Sequence, residues 1–417
     1  MNTQQQQPKQ LGLLRNVSLR TQWGCRNLKN SAITTVRNNE IAYSVGSRIA
    51  LLDVNENKSH VLIQPAEVYS IEVVSISPDG KYLAAAVTLN GGSKNSAVIV
   101  VHNINAQYNV NNNIDDKTRK YTKIQYDLNN LQLKEYDIKL KYMNFSYDDS
   151  SLIACCTNVI SGGVLIFDRA REVLMQRVEI ADSFVHQVSF NPLDSSRICT
   201  VGSNNLYQYW RFTIKSFFAA PINGLPAGDH TYLTHSWLPD NRLIAGTSSG
   251  FLSLVQGCDQ INQIQYAFGA PQQSDRIETA LTNMIVKDDI VIVTSSLNHF
   301  ALFQVKPVAI SGGNISANLI LLNRLLIKDC ENVPIRAIQW QFPKGGNNFD
   351  LFVATDKSIG TISLKMDEHR RKLGGPPNVK DTLKAPVEFI GNTNTYTNTN
   401  TNTNSYTNTN SYTNTKY

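Results

Sequence analysis

Histidine and cysteine spacing is the first place to look for chemistry in this chain of 417 residues, which holds seven histidines and six cysteines. The histidines are His60, His102, His186, His230, His235, His299 and His369. They form no H-x-x-x-H or H-E-x-x-H pair, the spacing that sets two imidazoles on one helix face around zinc. The cysteines are Cys25, Cys155, Cys156, Cys199, Cys258 and Cys330. They fit no zinc or redox pattern. Cys155 and Cys156 adjoin within an apolar run, so on a strand they point to opposite faces. All six read as reduced, small hydrophobic residues of a cytosolic protein. A phosphate loop of the form G-x-x-x-x-G-K-[ST] is absent. The expectation is a non-enzymatic protein with no cofactor, no metal and no small-molecule substrate.

His186 and His235 come closest to a catalytic pair, standing early in what read as first strands of neighbouring repeats. As an enzyme's residues they would be acid–base groups working in a central channel. As a repeat position they need no chemistry at all. Asp168 ends the segment GGVLIFD, at the close of a strand-like run, and reads as a structural aspartate. Asp79 and Asp240 follow Pro78 and Pro239 and read as turn residues. Trp210, Trp237 and Trp340 sit in strand-like runs and are expected to pack between repeats.

Charge offers a second kind of candidate. The net charge of +6 is unevenly placed. Residues 1–30 hold Lys9, Arg15, Arg20, Arg26 and Lys29 and no acid, and His369, Arg370, Arg371 and Lys372 follow the last apolar segment. Arg15, Arg20, Arg26, Lys29, Arg370, Arg371 and Lys372 are therefore the candidate partner-binding residues, suited to an acidic partner; the alternative is ordinary solvated ends. A basic stripe with interleaved aromatics, the footprint of nucleic-acid binding, is missing, and no nucleic acid is expected. No apolar run reaches 18 residues, and MNTQQQQPKQ lacks a signal-peptide apolar region, so neither membrane insertion nor secretion is expected.

These residues are positioned by a repeat. In IEVVSISPDGKYLAAAV, from Ile71, apolar and polar residues alternate with the period of a half-buried strand. Pro78-Asp79-Gly80 turns the chain, and a second apolar strand follows from Tyr82. A third runs from Ala97 to Val101. The same order returns from about Ala32, Ile138, Phe184, Thr231, Ile277 and Pro334. The usual step is about 46 residues, close to that of a propeller blade. Residues 103–132 read as an Asn-rich, charged insertion and residues 306–318 as a Gly/Ser/Asn loop. The fold expected is all-β, a seven-bladed WD-type β-propeller spanning residues 11–365. The seventh unit stops near Lys365 after three strands, so Leu11–Arg20 is expected to supply its fourth and remove the open edge. Residues 1–10 read as a disordered polar end. Residues 366–417 read as a basic and then Asn/Thr-rich disordered tail, which cannot repay its ordering entropy.

Two repeats are more specific than a generic blade. FVHQVSFNPLDSSRICTVGSNNLYQYWRF, from Phe184, and LTHSWLPDNRLIAGTSSGFLSLVQ, from Leu233, resemble the N-terminal propeller of the cilia- and flagella-associated WD-repeat proteins. SISPDGKYLAAA and NFSYDDSSLIACC fit the same order. The resemblance covers residues 30–260 well and 277–365 loosely. It implies an axonemal scaffold in the cytoplasm, cytoskeleton and cilium or flagellum. Its partners would be dynein or tubulin-associated components, and its role support of dynein-arm or regulatory-complex assembly and motility. It carries over no catalytic residue. Such proteins continue into a second propeller and a coiled coil; here one ring is read, and that ring is expected to do the binding. A propeller alone would equally serve a cytosolic adaptor, as a ubiquitin-ligase substrate receptor or a trafficking scaffold.

Overall fold

The computed structural model of the chain describes residues 15–17, 22–24, 33–37, 40–53, 58–62, 64–90, 96–104, 121–128, 138–212, 217–225, 229–265, 280–296, 298–309, 315–327, 334–341, 348–355, 358–365 and 388–389. Two short strands come first, β1 (Arg15–Val17) and β2 (Gln22–Gly24). Blade 1 is β3 (Ile33–Arg37), β4 (Glu40–Val45), β5 (Arg48–Asp53) and β6 (Lys58–Val61). Blade 2 is β7 (Val68–Ile76), β8 (Tyr82–Leu89), β9 (Ser96–Asn103) and β10 (Tyr121–Asp127). Blade 3 is β11 (Leu140–Phe145), β12 (Leu152–Thr157), β13 (Val164–Asp168) and β14 (Val173–Val178). Blade 4 is β15 (Val185–Asn191), β16 (Asp194–Gly202), β17 (Tyr207–Phe212) and β18 (Phe217–Pro221). Blade 5 is β19 (Tyr232–Trp237), β20 (Leu243–Thr247), β21 (Phe251–Gln256) and β22 (Asp259–Gln265). Blade 6 is β23 (Leu281–Lys287), β24 (Ile290–Ser295), β25 (His299–Ala309) and β26 (Ile315–Ile327). Blade 7 holds β27 (Ile335–Gln341), β28 (Asn348–Thr355) and β29 (Ser358–Lys365).

Each blade is an antiparallel meander, and the described residues form seven such sheets. Successive side chains on a strand face opposite ways, so both faces of a blade's middle strands are apolar. On β8, Ala84 and Ala86 pack toward blade 3, while Leu83, Ala85 and Val87 pack toward blade 1. Cys155 and Cys156 divide likewise, toward blade 2 and blade 4. The core is therefore not central. It is seven apolar seams, one between each pair of neighbouring blades. The seam joining blade 7 to blade 1 packs Ile33, Ile41 and Leu52 against Ala337, Phe352, Ala354 and Ile359 and closes the ring.

Turn chemistry sets the hairpins. Between the first two strands of blades 2 to 5, Asp79, Asp149, Asp194 and Asp240 each accept the N–H two residues on, from Lys81, Ser151, Ser196 and Arg242. In blade 2, Gly80 takes a φ of +68°, which a side chain would oppose.

Closure differs in register from expectation. The fourth strand of blade 7 is β2, antiparallel to β29 with Trp23 opposite Ile359, and not Leu11–Arg20. Within that segment β1 instead runs parallel to β26 of blade 6, with Asn16 opposite Leu326. A three-residue strand such as QWG is too short to show alternation, whereas LGLLRNVSLR carries the more strand-like pattern. The inserts also contain structure. Residues 121–127 of the first are β10, and Lys306 to Ala309 of the second extend β25 along β26, Lys306 opposite Asn318. The expected disordered ends lie outside the described residues, except for β30 (Glu388–Phe389), which pairs with Leu364 and Lys365.

Candidate binding site in the central channel

The first strands of the blades form the inner ring: β3, β7, β11, β15, β19, β23 and β27 each neighbour the next, and β27 returns to β3. They enclose a cavity of about 640 Å³. Six of them carry a bulge near their start, at Glu72, Lys141, His186, Leu233, Thr282 and Arg336. A bulge adds a residue to one strand and re-aims a side chain. Repeated at one register, it re-aims six side chains, of which Lys141, His186, Leu233 and Thr282 line the channel.

The wall below is uncharged and rich in hydrogen-bonding groups, and several of these bridge blades. The Gln187 amide meets both main-chain groups of His235, accepting its N–H at 2.8 Å and donating to its carbonyl at 2.9 Å. Asn144 Oδ1 accepts the Phe190 N–H at 3.0 Å, and the Thr35 hydroxyl donates to the Trp340 carbonyl at 2.7 Å. Ser189 Oγ lies 2.6 Å from His235 Nε2 and accepts the Trp237 Nε1–H at 2.9 Å. Gln187 also donates to the Tyr142 hydroxyl at 3.2 Å.

His186 and His235 do not hold equivalent positions. Register makes His186 the bulge residue, so its counterpart is Leu233; His235, opposite Ala245, matches Val188, opposite Thr200. A bulge leaves no mark in residue type, so spacing alone put the two in line. Burial lowers His235 to about 3, and burial with the neighbouring Lys141 ammonium lowers His186 to about 4. Both imidazoles are neutral at physiological pH. His235 Nδ1 has no partner among the described residues. A hydroxyl–imidazole pair working as nucleophile and base needs a third group there to orient the ring.

The other residues singled out by type fall into place. Asp168 accepts the Arg171 N–H at 2.9 Å in the turn after β13. Trp210 packs in the seam of blades 3 and 4, Trp237 in that of blades 4 and 5, and Trp340 against that of blades 6 and 7. Cys155, Cys156 and Cys199 are buried free thiols, and Cys258 is a half-buried one. Of the predicted partner-binding residues, Arg15 is in β1; Arg20, Arg26, Lys29, Arg370, Arg371 and Lys372 lie outside the described residues. No group of three or more metal-binding side chains occurs among the described residues. None of their helices is long and apolar enough to cross a membrane.

No protein-family profile matches the chain. A curated relative, cilia- and flagella-associated protein 57 of Mus musculus, is 23% identical over 193 residues, 45% of this chain and 13% of the relative. The chain thus spans a small part of that protein's length. Among solved structures, a chain of the crystal structure of the mitotic checkpoint complex superposes with a TM-score of 0.56 at 11% identity, covering 86% of this chain and 96% of that one. The structure of U3-55K gives 0.57 at 12% identity, covering 83% and 99%. These two share the fold alone. The chain is a seven-bladed WD-type β-propeller whose sequence is similar to that of the cilia- and flagella-associated WD-repeat proteins.

Proposed function

We propose that the chain is a non-enzymatic scaffold that binds proteins on its ring at the ciliary or flagellar axoneme, where it supports assembly of dynein arms or their regulatory complexes. The observation that carries this reading is the match to cilia- and flagella-associated protein 57. The geometry agrees with it in kind. A ring held by seven apolar seams presents turns and a channel mouth on a rigid frame, which suits recognition more than chemistry. The Ser189–His235 pair is buried, has no orienting carboxylate among the described residues, and joins blade 4 to blade 5. The basic residues toward both ends, Arg15, Arg20, Arg26, Lys29, Arg370, Arg371 and Lys372, are further contacts for acidic surfaces of dynein or tubulin-associated partners. A tagged full-length chain, expressed in a ciliated cell and followed by microscopy and affinity purification, tests the proposal. Axonemal signal with co-purifying dynein or regulatory components is expected. A purely cytosolic pool that recovers ligase or coat subunits would overturn it in favour of a cytosolic adaptor.

A further inference from the structure

No aspartate or glutamate lines the channel among the described residues, and Lys141 is the one permanently charged side chain of its wall. Lys141 and His186 are bulge residues of adjacent first strands, at the same mouth. Neither has a hydrogen-bond or ion-pair partner among the described residues. Lys141 is exposed, and burial together with its ammonium keeps the His186 imidazole from taking up a proton, so the mouth holds one positive charge and no counter-ion among the described residues. Glu72, the acidic bulge residue of blade 2, is not the missing counter-ion. It is not part of the channel wall, and it accepts hydrogen bonds from Ser70 at 2.7 Å and Thr88 at 3.3 Å in its own blade.

Directly below, donors are in surplus. The Tyr142 oxygen already accepts from Gln187, which leaves its own O–H to give. Asn144 spends its carbonyl oxygen on Phe190, which leaves its amide nitrogen to give. An ammonium, an imidazole, a phenol and an amide therefore converge on one side of a polar cavity with no acceptor of matching charge.

We propose that this mouth, formed by blades 3 and 4, is a binding site for an acidic peptide segment of a partner protein, whose Asp or Glu carboxylate enters the channel against Lys141, His186, Tyr142 and Asn144. The proposal rests on the scaffold reading above and gives it a place and a ligand chemistry. Charge complementarity commits the occupant. A basic or apolar segment would leave Lys141 desolvated and unpaired, which is more costly than leaving it in water.

The test uses the full-length chain and a fluorescein-labelled octaglutamate peptide at low salt, read by anisotropy, with octalysine as the control. Saturable binding of octaglutamate alone is expected. Lys141→Glu should weaken it about tenfold or more, the loss expected of a desolvated charge partner. Tyr142→Phe, which keeps the ring and removes only the O–H, should weaken it several-fold. Lys81→Glu should leave it unchanged, because Lys81 pairs with Asp79 at 3.2 Å in a turn outside the channel. Circular dichroism melts confirm that each variant folds. Equal binding by wild type and Lys141→Glu, or equal weakening by Lys81→Glu, would assign the effect to general surface charge and overturn the proposal, as would no binding at all. The readout is independent of location. Peptide binding through Lys141 with a cytosolic tagged chain would sink only the ciliary reading. An axonemal chain that ignores the peptide would sink only this site.

Discussion

Four aspartates do the same small job in four consecutive blades. Asp79, Asp149, Asp194 and Asp240 each cap the turn between first and second strands through the N–H two residues on. Asp194 also accepts the Ser196 hydroxyl at 2.5 Å and pairs with Arg197 at 2.6 Å. Replacing Asp194 by alanine should cost about 1–2 kcal/mol in urea unfolding, the worth of one or two charge-assisted hydrogen bonds. The four carboxyls share a pH signature. In Asp79, Asp194 and Asp240 burial opposes ionisation, but hydrogen bonds and a neighbouring cation outweigh it; in Asp149 the Ser151 hydrogen bond leads. All four are lowered from 3.8, so their contribution is present above that pH and is lost as pH falls below it. The buried imidazoles of His102 and His235 act earlier. Burial lowers them to about 4 and about 3 from 6.5, so the unfolded chain binds their protons first. Their stabilisation is complete above pH 6.5 and declines as pH falls toward the folded values, by about 1.4 kcal/mol per pH unit for each. The melting midpoint should therefore fall steadily from pH 7 to pH 5, above the range in which these four aspartates take up protons, and a flat profile over that range would refute neutral burial. At this scale the sequence was a good guide where chemistry is local. Pro-Asp turns and alternating Cys155-Cys156 are readable because a turn or a strand imposes them directly. The site at Lys141 and His186 was not readable. It depends on bulges, and a bulge is a property of register between two strands.

Elements were legible in proportion to their length. β7 and β8 show nine and eight residues of pattern, and both were visible as strands. β2 shows three residues, QWG, and its role appears only in the pairing of Trp23 with Ile359. Ring closure by an N-terminal strand followed from counting three strands in the last unit. Which residues close it did not, because several short segments compete for one open edge. The two N-terminal strands give separable predictions. Among the described residues, removing 1–18 takes away β1, a short parallel pair on β26, and should leave amide exchange in β29 unchanged. Removing residues 1–25 also takes away β2 and re-exposes the edge of blade 7. Exchange at Ile359 and Gly360 should then accelerate and self-association should increase, as for any unpaired edge. Gly163 tests a different element, the turn into β13. Its φ is +70°, and a Cβ there would lie 1.9 Å from the Val178 carbonyl oxygen of the neighbouring strand. Gly163→Ala meets both backbone strain and a contact that cannot relax by rotating a side chain. It should cost at least about 2 kcal/mol and show as a lowered urea midpoint.

The whole molecule is stabilised at its seams, and a closed ring of seams behaves differently from a row of repeats. In an open array each unit touches only its neighbours, end units have one interface, and unfolding can begin at an end. Here blade 7 packs on blade 1 through Phe352, Ala354 and Ile359 against Ile33, Ile41 and Leu52, so every blade has two interfaces and none is terminal. Opening any one seam removes its burial and turns the ring into an array with two ends, whose remaining seams are then easier to open. The cost of a seam mutation is therefore felt by all seven blades together. Phe352, in the closing seam, and Phe167, in the seam of blades 2 and 3, are both fully buried. Truncation of either to alanine should cost about 3–5 kcal/mol. The discriminating observation is the shape of the transition. Trp210 and Trp237 report on the seams flanking blade 4, and Trp340 reports on blades 6 and 7. In Phe352→Ala, urea curves from tryptophan fluorescence in single-tryptophan variants should coincide with one another and with far-ultraviolet circular dichroism, at a lower midpoint than wild type. If blade 7 instead melted ahead of blade 4, the seam of blades 7 and 1 would carry little energy, and the ring would be closed in shape but not in thermodynamics.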